Sequence, residues 1–531
     1  MKPIPSLLLA SSLFLPSFAL AADDAAAPAA PQLSAEEVAK IRALLRETDN
    51  GRELSPQQAD AVLGLFKEAK VSDKNKAADK KKYAVKSRSS GTTPLPEPPP
   101  YVRQLDKTNL PILEEFDKTL FRDYSWLDVG LEYRVRYEHR QNDLQRATQQ
   151  TNDPFLHRTR GYVGIKEILD PVRFGLEVQD SRVSNSDYPR SGDTSGRETN
   201  EWGIIQGFAE LYLPDFAESD KTLRVQAGRI AFEQLDRRLV ARNEWRNTTN
   251  NFDGFRALLG DANDNFQLDT FALQPVVRSL TTADHANENV WFYGAVAHLR
   301  QWSEVITLQP AYFLLDRNQE AGVTHRKIHT AYLRGYGDIG KTGFDYDLTG
   351  ASQFGDANYN ATQVGEHKAL LATAEIGYRL EDEYKTRFSA FAAYASGDKS
   401  PTDRENNRFE RLFGFARPWS NDDYITPENI ITAKARFEVQ PHEKVRIDGG
   451  YSAYWLASDT DSFVNANLRD NTGNSGSFLG HELDLRTRIE LDKRIDLNVG
   501  YAWFLPGEFT QTQGKGRETH FAYVEATFRL F

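Results

Sequence analysis

The sequence predicts an all-β protein, a transmembrane antiparallel β-barrel of about 18 strands preceded by a small N-terminal helical extension. Three observations predict it. An export signal opens the chain, apolar and charged residues alternate with period two from about residue 124 onward, and short and long connections between those runs strictly alternate.

Residues 1–21 read as a secretory signal peptide. Lys2 precedes an apolar run from Leu7 to Leu20, and Ala19-Leu20-Ala21 is a small-x-small cleavage site. The run is too short for a membrane span, and Pro3, Pro5 and Pro16 argue against a buried core helix.

Residues 22–92 read as a helical periplasmic extension. Ser34 and Glu37 form a capping box ahead of an apolar stripe of Val38, Ile41, Leu44 and Leu45. Asp49-Asn50-Gly51 marks a turn, and Ser55-Pro56 starts a second helix carrying Val62, Leu63, Leu65 and Phe66. A lysine-rich stretch and the proline-rich run 93–100 follow, so 93–123 is expected to be a Pro-rich linker and lead-in. Such an extension either docks a partner, self-associates, or is a tethered segment.

The barrel is expected over 124–531. Its first strand is the clearest: Leu127, Val129, Leu131, Tyr133, Val135 and Tyr137 alternate with Asp128, Gly130, Glu132, Arg134, Arg136 and Glu138. A soluble sandwich also alternates, but seldom puts so many charges on the second face of one strand. Similar runs fall near 127–139, 158–168, 172–183, 203–213, 223–232, 253–260, 265–274, 289–299, 304–315, 328–337, 344–355, 367–380, 385–396, 430–440, 445–457, 481–491, 495–504 and 519–531. That is an even number, as in single-chain bacterial barrels. Tight turns such as Asp170-Pro171 and Asp492-Lys493 alternate with long polar loops such as 140–157, 185–201, 233–252, 397–429 and 458–480. The chain ends on an aromatic residue, Phe531, although Arg529 shares its face.

Composition excludes several functions. There is no cysteine, so no disulfide, thiolate metal site or cysteine nucleophile exists. Tyrosine (22), phenylalanine (31) and tryptophan (8) are plentiful, which suits the interfacial belts of a barrel. A net charge of −11, with basic residues interleaved among acids, disfavours nucleic acid. No Gly-x-Ser-x-Gly elbow or His-Glu-x-x-His helix occurs, so catalysis is not expected. No cofactor or metal is expected either; the aspartate-rich tips at 261–264, 422–423 and 459–461 could hold Ca²⁺ or bridge lipopolysaccharide, but read first as solvated loops.

If the aliphatic face meets lipid, the charged face lines the lumen. Arginine dominates its cations: Arg134, Arg136, Arg158, Arg160, Arg256, Arg334, Arg436, Arg486 and Arg488 all take inward parity. The planar guanidinium fork suits carboxylates and phosphates, so the set reads as a path for an anionic solute. For any single arginine a structural cross-pore ion pair is the stronger reading; for the set, a pathway is.

Between strands five and six lie Ala227-Gly228-Arg229-Ile230, Arg237-Arg238-Leu239, Asn243-Glu244-Trp245-Arg246-Asn247 and Phe252-Asp253-Gly254-Phe255-Arg256. In that order they resemble the outer-membrane alginate-export porin family, although Ile230 stands where that family often has glutamine. The resemblance extends over residues 101–531 through strand number and loop layout. It implies passive export of an anionic polysaccharide through an arginine-rich constriction, with Arg229, Arg238, Arg242, Arg246 and Arg256 as constriction or loop-anchor candidates. It also implies an outer-membrane setting among lipid and lipopolysaccharide, and periplasmic secretion partners engaged through residues 22–100. A substrate-specific uptake porin for small anionic nutrients is the alternative, separated by pore continuity and by those partners.

Overall fold

The computed structural model describes residues 126–145, 150–186, 198–261, 264–280, 282–318, 324–359, 363–400, 402–492 and 494–529. The expected signal peptide, helical extension and linker lie outside the described residues. Among those described, no helix is long and apolar enough to cross a membrane; the chain crosses with strands.

Eighteen strands form one sheet: β1 (Leu127–Gln141), β2 (Phe155–Ile165), β3 (Val172–Ser184), β4 (Asn200–Leu213), β5 (Leu223–Ile230), β6 (Phe252–Leu259), β7 (Phe266–Val277), β8 (Val290–Leu299), β9 (Thr307–Arg317), β10 (Arg326–Asp338), β11 (Phe344–Asn358), β12 (Val364–Arg379), β13 (Arg387–Ala395), β14 (Ile430–His442), β15 (Val445–Trp455), β16 (Phe478–Asp492), β17 (Ile495–Pro506) and β18 (Thr519–Arg529). Each pairs antiparallel with its neighbours in sequence. β18 also pairs with β1, Glu132 opposite Arg529 and Gln141 opposite His520, which closes the barrel. Closure leaves no edge, so the backbone polar groups of the wall are satisfied inside the lipid core. Two-residue strands at His285–Ala286 and Glu405–Asn406 lie in loops. Each expected run coincides with a strand.

The longer connections gather at one end, where 359–363 is the exception, which places the turns and both barrel termini on the periplasmic side. The outer wall is apolar, with Val163, Leu176, Leu333, Leu348, Leu370, Ile376, Leu483 and Leu485 exposed to the surroundings. Aromatic residues mark both rims: Phe155, Tyr293, Phe354 and Tyr394 toward the loops, Phe174, Phe344, Tyr378 and Phe388 toward the turns. These are the two interfacial girdles of a membrane barrel.

Gly228 shows why glycine precedes arginine at the end of β5. Its φ is +128°, and a Cβ there would sit 2.4 Å from the carbonyl oxygen of Gly207. Only glycine takes that conformation at that approach.

The inner wall departs from the expectation of a uniformly charged lumen. Along β6 to β9 the loop-side half of the inward face is apolar: Phe252, Phe271, Leu273, Val290, Phe292, Phe313 and Leu315 are all buried inside the barrel. Alternation alone told inside from lipid on the charged strands. Where both faces are apolar it carries no such information.

Candidate functional site

Two long loops fold into the lumen. L3 (231–251) joins β5 to β6, and L7 (396–429) joins β13 to β14. Inside the barrel they meet: Val240 bridges Phe413 in parallel, with the Ala241 amide donating to the Phe413 carbonyl at 3.1 Å and the Phe413 amide to the Leu239 carbonyl at 3.0 Å.

The apolar side of the wall moors both loops. Phe413 of L7 sits 5.0 Å from the Phe252 ring and 4.9 Å from Phe292, centroid to centroid, and Phe232 of L3 sits 5.1 Å from Phe271. Leu239, Val240, Phe409 and Trp419 join the same buried cluster.

The opposite side moors L3 with charge. In β1 and β2, Arg134 lies directly across from Arg158, a like-charge pairing that needs a counter-charge. The wall supplies Glu132 to Arg158 at 3.2 Å and Glu525 to Arg134 at 3.5 Å, and L3 adds backbone carbonyls and one carboxylate. Arg134 donates to the Glu244 carbonyl at 2.7 Å and the Arg246 carbonyl at 3.0 Å, Arg136 to the Trp245 carbonyl at 2.6 Å, and Arg158 to the Glu244 carbonyl at 3.0 Å. Arg160 reaches the Glu244 carboxylate at 2.6 Å and Thr249 Oγ1 at 2.6 Å. Arg242 of L3 returns the contact, bonding Glu177 of the wall at 2.7 Å and Glu244 at 2.5 Å. Burial alone would push the Glu244 carboxyl up. Arg160, Arg242 and Arg158 outweigh it and hold the group well below the usual carboxylate range.

A third region lies on β14 to β16, toward the periplasmic mouth. Arg436, Arg486 and Arg488 converge on the single carboxylate of Asp448, at 3.0, 2.7 and 3.0 Å. Asp484 stands 3.7 Å from Arg436. Arg446 faces Arg488 across the register and is exposed. Glu438 lies opposite Asp448 across the register, so both signs line this stretch, and Arg488 keeps 23% of its side chain accessible.

The residues singled out from the sequence divide by role. Arg134, Arg136, Arg158, Arg160 and Arg242 hold L3. Arg246 is half-buried in L3, where its carbonyl accepts from Arg134. Arg238 is fully buried, paired with Asp236 and facing the rings of Phe391 and Trp419 at 5.2 and 5.4 Å. Arg256 points inward but is locked to Asp269 and lies 4.6 Å over the Phe232 ring. Arg334 is likewise locked, to Asp347 at 2.9 Å and Gln309 at 3.1 Å. Arg436, Arg486 and Arg488 form the periplasmic cluster.

Arg229 requires correction. It has the parity of Val225 and Ala227, so it lies on the outer face at the loop-side rim and not in the lumen. There it forms a bidentate pair with Asp253 at 2.7 and 2.8 Å and bonds the Asp284 carbonyl at 3.2 Å. The sequence motif placed it near the loop, but one-residue parity decides the face.

Sequence reasoning missed Arg417. This L7 residue is 4% exposed and lies 3.4 Å over the Trp245 ring, whose environment Arg136 shares at 3.7 Å. Neither terminal nitrogen of Arg417 has a hydrogen-bond partner, and no carboxylate pairs with it among the described residues. Loop residues have no periodicity, so nothing in the sequence could have aimed it inward.

A closed eighteen-stranded barrel with lipid-facing girdles, a charged lumen and inward-folded loops is an outer-membrane channel. The family comparison makes this more specific: residues 125–525 match the family described as Alginate export, and the chain belongs to that family. Solved structures share the fold at low identity. OccK5 (OpdH) of Pseudomonas aeruginosa matches with a TM-score of 0.51 and 12% identity, covering 76% of this chain and 98% of its own. The outer membrane protein opdK of the same organism gives 0.50 and 10%, covering 76% and 98%. OccAB1 of Acinetobacter baumannii gives 0.50 and 9%, covering 76% and 97%. No curated protein matches the chain. The chain is thus an integral protein of the Gram-negative outer membrane.

Proposed function

We propose that this channel passively exports an anionic, alginate-like polysaccharide, with the arginines of the lumen as its path and no chemistry performed on the cargo. The carrying observation is the cluster at Asp448, where three guanidinium groups share one carboxylate and Arg488 stays partly accessible. A polyuronate offers one carboxylate per sugar, and a ladder of forks can hand these on without holding any one tightly. Arg417 extends the ladder to the inward loops.

The test is conduction through the mature protein in a planar bilayer, with oligomannuronate titrated from the periplasmic side. The expected result is anion selectivity and current block by the uronate oligomer, both weakened by Arg488→Glu. Anion selectivity without block would move the assignment to small-anion uptake, and cation selectivity would overturn the arginine path.

A further inference from the structure

A second basic site lies at the other mouth. A cavity of about 300 Å³ opens among the extracellular loops, outside both the L3 anchor and the Asp448 cluster. Its wall brings together Arg326 from the start of β10, Asn406 and Arg408 from L7, Tyr359 after β11, and Arg469 from L8 (456–477). This volume is at the small end of ligand pockets and suits one pyranose ring.

The three arginines are oriented yet not exhausted. Arg408 is fixed by Asp461, through Nε at 2.8 Å and through Nη2, and Asp461 is itself fixed by the Asp398 amide at 2.9 Å. That leaves Arg408 Nη1 without a partner among the described residues. Arg326 spends one terminal nitrogen on Glu410. Arg469 spends only Nε, on the Thr460 carbonyl at 3.0 Å, and pairs with no carboxylate among the described residues. Among the described residues Asp398 is the one carboxyl lining the cavity, and burial pushes it up. A guanidinium held by one edge presents its other edge as a ready fork for a carboxylate. Asn406 and Tyr359 add the amide and phenol that sugar hydroxyls bond.

Orientation separates cargo from lipid as the source of the anion. Arg326 shares parity with Ile328, Thr330 and Arg334, all buried inside the barrel, so the cavity lies on the lumen side of the wall. We propose that this pocket is an exit subsite that binds one carboxylated sugar residue of the emerging chain. The identity of the ligand rests on the polyuronate reading above; the existence of a second, extracellular site does not.

The experiment adds oligomannuronate to each side of the bilayer separately, with neutral mannose oligomers and orthophosphate as comparison probes. In Arg469→Gln, block from the extracellular side is expected to weaken about tenfold, as loss of one charged hydrogen-bonding fork does. Periplasmic block and open conductance should stay unchanged. Arg469→Lys should retain part of the affinity, and Thr324→Glu, which adds a carboxylate to the same cavity, should weaken it without touching any described hydrogen bond. Thr324→Glu also serves if Arg469→Gln does not insert. Extracellular block that survives both variants overturns the subsite while leaving the export reading intact. Equal extracellular block by orthophosphate or by neutral oligomers also overturns it. Absence of block from either side overturns the export reading and the subsite's ligand together.

Discussion

The β1–β2 wall and the β6–β9 wall hold the same loop inside the same barrel by opposite means. The first grips L3 with arginines directed at named carbonyls and at Glu244. The second grips L3 and L7 with phenylalanine rings in a dry cluster. Ring packing is non-directional and gains free energy from area removed from water. Guanidinium bonds are directional but offset a large desolvation cost, so their net contribution is smaller and their geometric control greater. The apolar wall thus sets whether the loops stay in, and the charged wall sets where along the lumen their backbone lies.

The sharpest way to break this comparison is on the apolar side. Phe292 is fully buried and touches Phe252, Phe271, Phe313 and Phe413. Phe292→Ala is expected to cost about 3–5 kcal/mol, as a buried ring truncation does, and much of that loss falls on the contact with L7. Limited chymotrypsin digestion should then cleave at Phe413 and Phe415 in folded barrels, and single-channel conductance should rise. Unchanged protease resistance would mean that L7 is moored elsewhere.

On the charged side, Glu244→Gln removes the carboxylate shared by Arg158, Arg160 and Arg242. Arg158 keeps Glu132 and Arg242 keeps Glu177, so the loss falls mainly on buried Arg160 and is expected to cost about 2–3 kcal/mol. Here the readout is different: the lumen gains a net positive charge, so anion preference should increase while the barrel still forms. A loss of anion preference would show that these arginines face away from the conducting path.

Acidity gives a smaller effect, confined to L7. Burial pushes the Asp422 and Glu428 carboxyls up. Asp422 faces Glu482 through the Ser420 hydroxyl, with Lys434 and Arg140 nearby, and Glu428 faces Arg411, Arg408 and Glu410. A packed loop whose carboxyls titrate above their ordinary value binds protons more tightly than a released one. Packing of L7 therefore strengthens as pH falls from neutrality toward the ordinary carboxylate range of about 4. Glu244 has the opposite sign, but its window lies below that range. Protease cleavage within L7 should be slower at pH 5 than at pH 8, and the reverse order would contradict this assignment.

The sequence made the barrel legible because lipid on one side and charge on the other impose strict period-two patterning, and the connections kept their length class except at 359–363, a loop as short as the turns. Arg134, Arg136, Arg158 and Arg160 were legible as inward residues for the same reason. Their partners were not. The carbonyls of Glu244, Trp245 and Arg246 belong to a loop, and which backbone atoms a loop presents depends on tertiary packing that no periodicity encodes. The ring cluster of β6 to β9 was hidden by the opposite problem: Phe255 faces out at 62% exposure and Phe271 faces in, yet both read as apolar.

Arg229 and Arg242 sharpen the same point, because both lie in the segment that carried the family resemblance and only one enters the lumen. Arg242 is fully buried between Glu177 and Glu244. Arg229 is a rim ion pair with Asp253 on the outer face, partly covered by the 278–289 connection through the Asp284 carbonyl. Arg229→Gln is therefore expected to cost no more than about 1 kcal/mol, read as a small drop in the temperature at which the barrel unfolds on a denaturing gel. Selectivity and oligomannuronate block should be those of the unmodified channel, since no charge in the lumen has changed. An altered selectivity would place Arg229 on the conducting path and reverse the parity assigned to the end of β5.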